Sequence, residues 1–245
     1  GPAAMRRLQA YTAFAALIFA AALFLYGCTR PAEPSPPEPE PAPREEAEAP
    51  ETSAGNPLDG LVMIGNSCLL SLRDYGVIKD VPIYAKAGLT VSQLLDYQDP
   101  ASGKTMREIL REGGFRKVLV MVGENELGWN ASAFAARLQE TVAEIQACNP
   151  EMAVCLHAIT PISRAASEKG EYGVTREHID QFNEKIRAVA ASCGAQWLDP
   201  APVLADEEGY LPAGASADGI HLEPQSARVW GDYLIRHIDE GGEKR

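Results

Sequence analysis

Four short stretches of this 245-residue chain hold residues whose types and order could do chemistry together. Gly65-Asn66-Ser67 closes an apolar run, and Ala87-Gly88-Leu89 follows a second one. Gly123-Glu124-Asn125-Glu126 follows a third, and "ADGIHLEP" near the C-terminus sets Asp218 and His221 three residues apart. A serine hydroxyl is a poor nucleophile until a base removes its proton, and imidazole suits that role near neutrality. The imidazole needs its other nitrogen held by an acceptor, which Asp218 can supply across one turn. Attack on an ester places negative charge on the former carbonyl oxygen, so donors must already point there. The backbone N–H groups of Ser67 and Gly88 and the side-chain amide of Asn125 are suitable donors. Gly88 is expected to let backbone approach closely where a side chain would obstruct. Ser67 at a helix N-terminus would gain a favourable dipole. Taken singly, each stretch has a plain explanation: Ser67 as an N-cap, Asn125 in a turn, D-x-x-H by chance. Together they describe acyl transfer.

Positioning them calls for short β-rich runs alternating with helical patterns. Strands are expected at 61–65, 81–86, 117–123, 152–159 and 195–199, where apolar and β-branched residues cluster. Helices are expected from Ser67 to about Tyr75, over 90–97, 105–113, 131–147 and 175–194, and from about Pro224 to Ile238. Alternation of this kind implies an α/β fold, a five-stranded parallel sheet covered by helices on both faces. Right-handed crossovers then favour a flavodoxin-like order, 2-1-3-4-5, with ligands outside the carboxyl ends of the strands.

The order of these residues, from Ser67 to the block "DGIHLEPQSARVWGDYL", resembles the SGNH hydrolases, also called the GDSL esterase/lipase family. Its Ser, Gly, Asn and His correspond to Ser67, Gly88, Asn125 and His221, and the resemblance spans 57–245. It implies a three-layer α/β/α flavodoxin-like sandwich and ester hydrolysis with no metal and no cofactor. It also implies a catalytic Ser67–His221–Asp218 triad with an oxyanion hole from Ser67, Gly88 and Asn125. Two positions depart from the family pattern. Asn66 stands where Asp is usual, and Glu126 where the family has Asp after its Asn.

Ahead of this domain the chain has a different character. Gly1 to Ala4 precede Met5 and read as a cloning remnant. Over 5–28, Arg6 and Arg7 precede the apolar run Tyr11–Tyr26, shorter than the ~20 residues that cross a bilayer comfortably. Leu25-Tyr26-Gly27-Cys28 resembles a bacterial lipobox, so a signal peptide with a lipidated Cys28 and an uncleaved signal anchor both remain open. Either places the rest of the chain outside the cytoplasm, tethered to the membrane. Residues 29–56 are dominated by Pro and Glu and are expected to be a disordered stalk.

A net charge of −12 argues against nucleic acid as a partner, because nothing here would neutralise phosphates, although part of that acidity lies in the 29–56 tract. Cys68, Cys148, Cys155 and Cys193 match no zinc spacing, and no disulfide is expected. "SGKT" (102–105) lacks the first glycine of a phosphate loop, and neither G-x-S-x-G nor G-x-G-x-x-G is present. Glu124 and Glu126 invite a two-carboxylate glycosidase reading, but beside Asn125 they are better explained as loop residues shaping the pocket. Asp199 and Asp206 are alternatives to Asp218 as the histidine's partner. His157 reads as a core histidine, His178 and His237 as exposed. The loop 160–174 is expected to wall the pocket, to form a lid over it or to run plainly over the surface. Trp129 and Tyr172 are candidates to stack on a sugar, with plain packing or exposure the simpler reading of each.

The expected function is an exported serine esterase acting as a monomer on O-acetyl or short-chain acyl esters of carbohydrate. The alternatives are an O-acyltransferase with the same triad, a lysophospholipase or lipase, and a non-catalytic glycan-binding module.

Overall fold

The fold is known from a computed structural model, which describes residues 56–238. The remnant at 1–4, the signal or anchor at 5–28 and nearly all of the stalk lie outside them. Five strands form one sheet: β1 (Leu61–Asn66), β2 (Ile83–Lys86), β3 (Lys117–Met121), β4 (Ala153–His157) and β5 (Gln196–Leu198). Every pairing is parallel, and the order is β2-β1-β3-β4-β5, as expected from the sequence.

Strands buried on both faces must be apolar throughout, and their side chains divide by parity. Val62, Ile64, Val118, Val120, Val154 and Leu156 enter one core. Leu61, Met63, Leu119, Met121, Cys155 and Leu198 enter the other. The first core is roofed by α2 (Met106–Glu112), α3 (Ala131–Cys148) and α5 (Arg176–Cys193), the last two joined where Phe134 stacks on Phe182 at 4.9 Å. The second is roofed by α1 (Leu70–Asp74), α6 (Ala201–Leu204) and α7 (Pro224–His237), whose Trp230 is fully buried. A shorter α4 (Arg164–Lys169) lies in the 160–174 loop.

Helix ends follow local chemistry. Thr105 and Glu108 form a capping box on α2, Asn130 accepts from Ser132 and Ala133 at the start of α3, and Gly194 stops α5 in the left-handed conformation. Thr105 of the "SGKT" stretch is therefore a cap.

Two expected helices differ. The segment 90–97 makes only a 3-10 turn at Leu94–Asp96, because eight residues gain little from helix formation while Leu89, Val91, Leu94 and Leu95 can all be buried by an irregular path. The helix expected from Ser67 is split into a 3-10 turn, Ser67–Leu69, and α1. Ser67 is thus not the cap: Asn66 is, its Oδ1 accepting from Cys68 N at 3.1 Å. Helices this short offer Ser67 only a weak dipole, a correction to the expectation above. No two of the four cysteines among the described residues are joined as a disulfide. Among these residues no helix is long and apolar enough to cross a membrane.

Candidate active site

Ser67 follows β1 directly, at the carboxyl edge of the sheet. Gly65, two residues earlier, is needed by the neighbouring strand: a Cβ there would lie 2.0 Å from the carbonyl oxygen of Met121 on β3. The Gly-Asn-Ser stretch is therefore fixed by three demands. Gly65 permits β1 to pair closely, the buried Asn66 caps the turn, and Ser67 is offered at the rim.

Ser67 Oγ lies 2.9 Å from His221 Nε2, and His221 Nδ1 lies 2.6 Å from Asp218 Oδ2. The loop that carries both is tied at its base by Glu223 N donating to Ala215 O at 2.9 Å. Asp218 organises its turn, since Oδ1 accepts from Ile220 N at 2.9 Å, His221 N at 2.8 Å and Ser216 Oγ at 3.1 Å. Partial desolvation works against its charge. The hydrogen bonds from the His221 ring and from the two backbone amides outweigh it and hold the carboxyl well below the usual carboxylate range. A charged Asp218 keeps the proton on Nδ1 and leaves Nε2 as an acceptor facing Ser67. Asp199 and Asp206 do not share this arrangement: they cap Ala201 and the Glu208–Tyr210 turn respectively.

The other two stretches converge on the same rim. Asn125 Nδ2 donates to Leu89 O at 3.0 Å, which locks the amide's orientation and leaves its second hydrogen available. Gly88 has φ 74°, and a Cβ there would meet no protein atom within 4 Å. Its conformation requires glycine, and the open space around it is what an approaching ligand would use.

Of the two acids expected to shape the pocket, Glu126 does not, a correction, whereas Glu124 is half-buried with a carboxylate oxygen within 4.8 Å of a ring nitrogen of His221. Glu126 is fully buried, accepting from Val91 N at 2.5 Å through Oε1 and from Gly123 N at 3.1 Å through Oε2. It joins the loop of Gly88 to the loop of Asn125. Burial pushes its carboxyl up to about 7, although both amide donors favour the carboxylate. Glu124 accepts from the thiol of Cys68. Burial, then the neighbouring Glu124 charge, push that thiol well up. Sequence reasoning missed both roles, because an acid beside Asn125 gives no sign of which way its carboxylate turns.

The remaining candidates resolve individually. His157 is a core histidine: Trp230 Nε1 donates to its Nε2 at 2.8 Å, its Nδ1 is 2.6 Å from Ala158 O, and burial pushes its imidazole down to about 4. His237 is exposed and bonded to Tyr233 O, whereas His178 is half-buried against Gly173 O. Trp129 and Tyr172 are both exposed, and the backbone of Tyr172 packs beside Gly128. A cavity of about 260 Å³ between the Ile159–Ile162 loop and α5 is lined by Asn183, Asp180 and Asp199 among others and contains none of Ser67, His221 or Asp218.

The sequence profile of the GDSL-like lipase/acylhydrolase family matches residues 72–229, more than half of the chain. This chain belongs to that family. The matched span takes in Gly88, Asn125, Asp218 and His221 and begins five residues after Ser67. Among curated proteins, none matches the sequence. Solved structures share the GDSL fold at low identity. A Streptococcus pneumonia protein with a proposed assignment as a platelet activating factor aligns at TM-score 0.61 and 18% identity, covering 77% of this chain and 87% of its own. A GDSL-like lipase from Bacteroides thetaiotaomicron aligns at TM-score 0.54 and 15% identity, covering 73% and 86%. Est24, a carbohydrate acetylesterase from Sinorhizobium meliloti, aligns at TM-score 0.52 and 14% identity, covering 73% and 97%. As a GDSL acylhydrolase, the chain is an enzyme of the serine ester hydrolase type.

Proposed function

We propose that Ser67, His221 and Asp218 form the catalytic triad of an exported esterase that removes O-acetyl or other short acyl groups from carbohydrate. The observation that carries this reading is the continuous relay from Ser67 Oγ through both imidazole nitrogens to Asp218, at 2.9 and 2.6 Å. Ser67 Oγ attacks the ester carbonyl as His221 Nε2 takes its proton, and Asp218 stabilises the imidazolium that forms. The N–H groups of Ser67 and Gly88 and the unengaged hydrogen of Asn125 Nδ2 receive the developing oxyanion. The imidazolium then protonates the leaving alcohol, and a water activated by His221 releases the acid from Ser67.

The carbohydrate assignment draws on the fold shared with a carbohydrate acetylesterase and on Trp129 and Tyr172, whose exposed rings could stack on a sugar face. Export and tethering draw on Arg6, Arg7, the apolar Tyr11–Tyr26 run and Cys28. The test is hydrolysis of p-nitrophenyl acetate, its longer acyl homologues and acetylated oligosaccharides, with Ser67→Ala and His221→Ala alongside. Activity lost in both variants and falling with chain length is expected. Equal activity in Ser67→Ala would refute the serine mechanism. A rise with chain length would make the enzyme a lipase, and transfer to a sugar acceptor exceeding hydrolysis would make it an acyltransferase.

A further inference from the structure

Cys68 lies next to the nucleophile in sequence, and its thiol has no part in the esterase mechanism. It points at Glu124, and a ligand atom from each of Cys68, Glu124 and His221 lies within 4.8 Å of the other two. Three atoms so spaced share a point at most about 2.8 Å from each. Zinc bonds to sulfur, imidazole nitrogen and carboxylate oxygen are about 2.0–2.3 Å long, so the three groups need to close by less than about 1 Å. We propose that Cys68 Sγ, Glu124 and His221 Nε2 form an inhibitory site for a soft divalent cation such as Zn²⁺, which captures the base of the triad. The inference rests on the reading of His221 as that base.

The chemistry of the three groups fits such an ion. A thiol, an imidazole and a carboxylate together form a donor set typical of zinc. A proton already sits between Cys68 and Glu124, and the cation takes its place: the Cys68 S–H bond breaks, an S–metal bond forms, and the proton leaves to solvent. Asp218 already holds His221 Nδ1 at 2.6 Å, so Nε2 is the nitrogen left to bind. A carboxylate on the distal nitrogen is the usual support of a metal-bound histidine. The thiolate and two carboxylates, Glu124 and Asp218, add negative charge around the ion. Binding removes the acceptor from Ser67 Oγ, so the nucleophile is left without its base. The fourth coordination position falls to water.

The experiment uses the full chain. Zinc chloride is titrated into a p-nitrophenyl acetate assay with wild type, Cys68→Ser and Cys68→Ala, and EDTA is then added. The expected result is inhibition of the wild type that EDTA reverses, with a half-inhibitory concentration at least tenfold higher in both variants. Their activity without zinc should match the wild type. Equal inhibition of wild type and variants, or none at millimolar zinc, would overturn the proposal. Cobalt(II) is titrated in parallel and read by thiolate-to-cobalt charge-transfer absorption. A band present in the wild type and lost in Cys68→Ser supports the site even if no ester is hydrolysed, which separates its failure from that of the esterase reading. No difference in that band between the two proteins would overturn it. Cys68→Ala provides the comparison should Cys68→Ser not fold.

Discussion

Replacing Glu126 with glutamine tests whether a buried acid ties the two donor loops together. In the folded protein its carboxyl is held at about 7, against 4.5 for an exposed glutamate. A group raised in this way binds its proton more readily in the folded state, so its contribution is fully present below 4.5 and is lost as pH climbs through about 7. At 1.36 kcal/mol per pH unit, that interval is worth roughly 3 kcal/mol. Glutamine keeps one acceptor but turns an NH₂ toward the second backbone N–H, leaving a buried donor unpaired at a cost of about 1–3 kcal/mol. Glu126→Gln should therefore be less stable than wild type near pH 5 by about that amount, and the gap should close or reverse near pH 8. The wild-type curve alone cannot show this, because His157 acts oppositely. Its imidazole, lowered from 6.5 to about 4, contributes stability that is lost as pH falls through that range. Subtracting urea-unfolding free energies of variant and wild type at each pH cancels the His157 contribution. A difference constant within about 0.5 kcal/mol between the two pH values would refute the reasoning. Activity gives a second readout. Slackening the link from Val91 to Gly123 should lower kcat/KM about tenfold, less than the 10²–10³ expected for loss of an oxyanion donor.

Asp218→Asn keeps the acceptor for Ile220 N and His221 N but sets an NH₂ against His221 Nδ1, which moves the ring proton to Nε2. The variant should fold normally, as read by its melting temperature, while kcat falls about 10³–10⁴-fold; a loss under tenfold would remove Asp218 from the triad. Trp230→Phe strips His157 Nε2 of its donor inside a dry core and leaves a small void. Urea unfolding should show a loss of about 2–4 kcal/mol, with the activity of folded molecules unchanged within about twofold.

What the sequence made legible was whatever depends on one face or one turn. The parity of Val62 and Ile64 against Leu61 and Met63 divides the two cores, so alternation of apolar runs with helical patterns was enough to give the strand order. Asp218 and His221 were legible because one turn fixes both. The irregular 90–97 segment was not, since Leu89, Val91, Leu94 and Leu95 have helical spacing whether or not a helix forms. Nor was the direction of a side chain in a loop.

Glu124 and Glu126 make that last point in chemical terms. They flank Asn125, yet neither is arranged as a glycosidase acid. Glu126 spends both carboxylate oxygens on backbone amides of two loops, and Glu124 accepts a hydrogen bond from the Cys68 thiol. With Glu126 buried and Glu124 turned to that thiol, the two acids are not presented together to a substrate, and the two-carboxylate reading fails on their placement. The same accounting explains why a longer acid is accommodated where the family has aspartate. The carboxylate must reach from the turn at Gly123 to Val91 on the neighbouring loop, and the extra methylene supplies reach. Glu126→Asp should then loosen the Val91 contact first, read as faster amide exchange at Val91 N while Gly123 N stays protected.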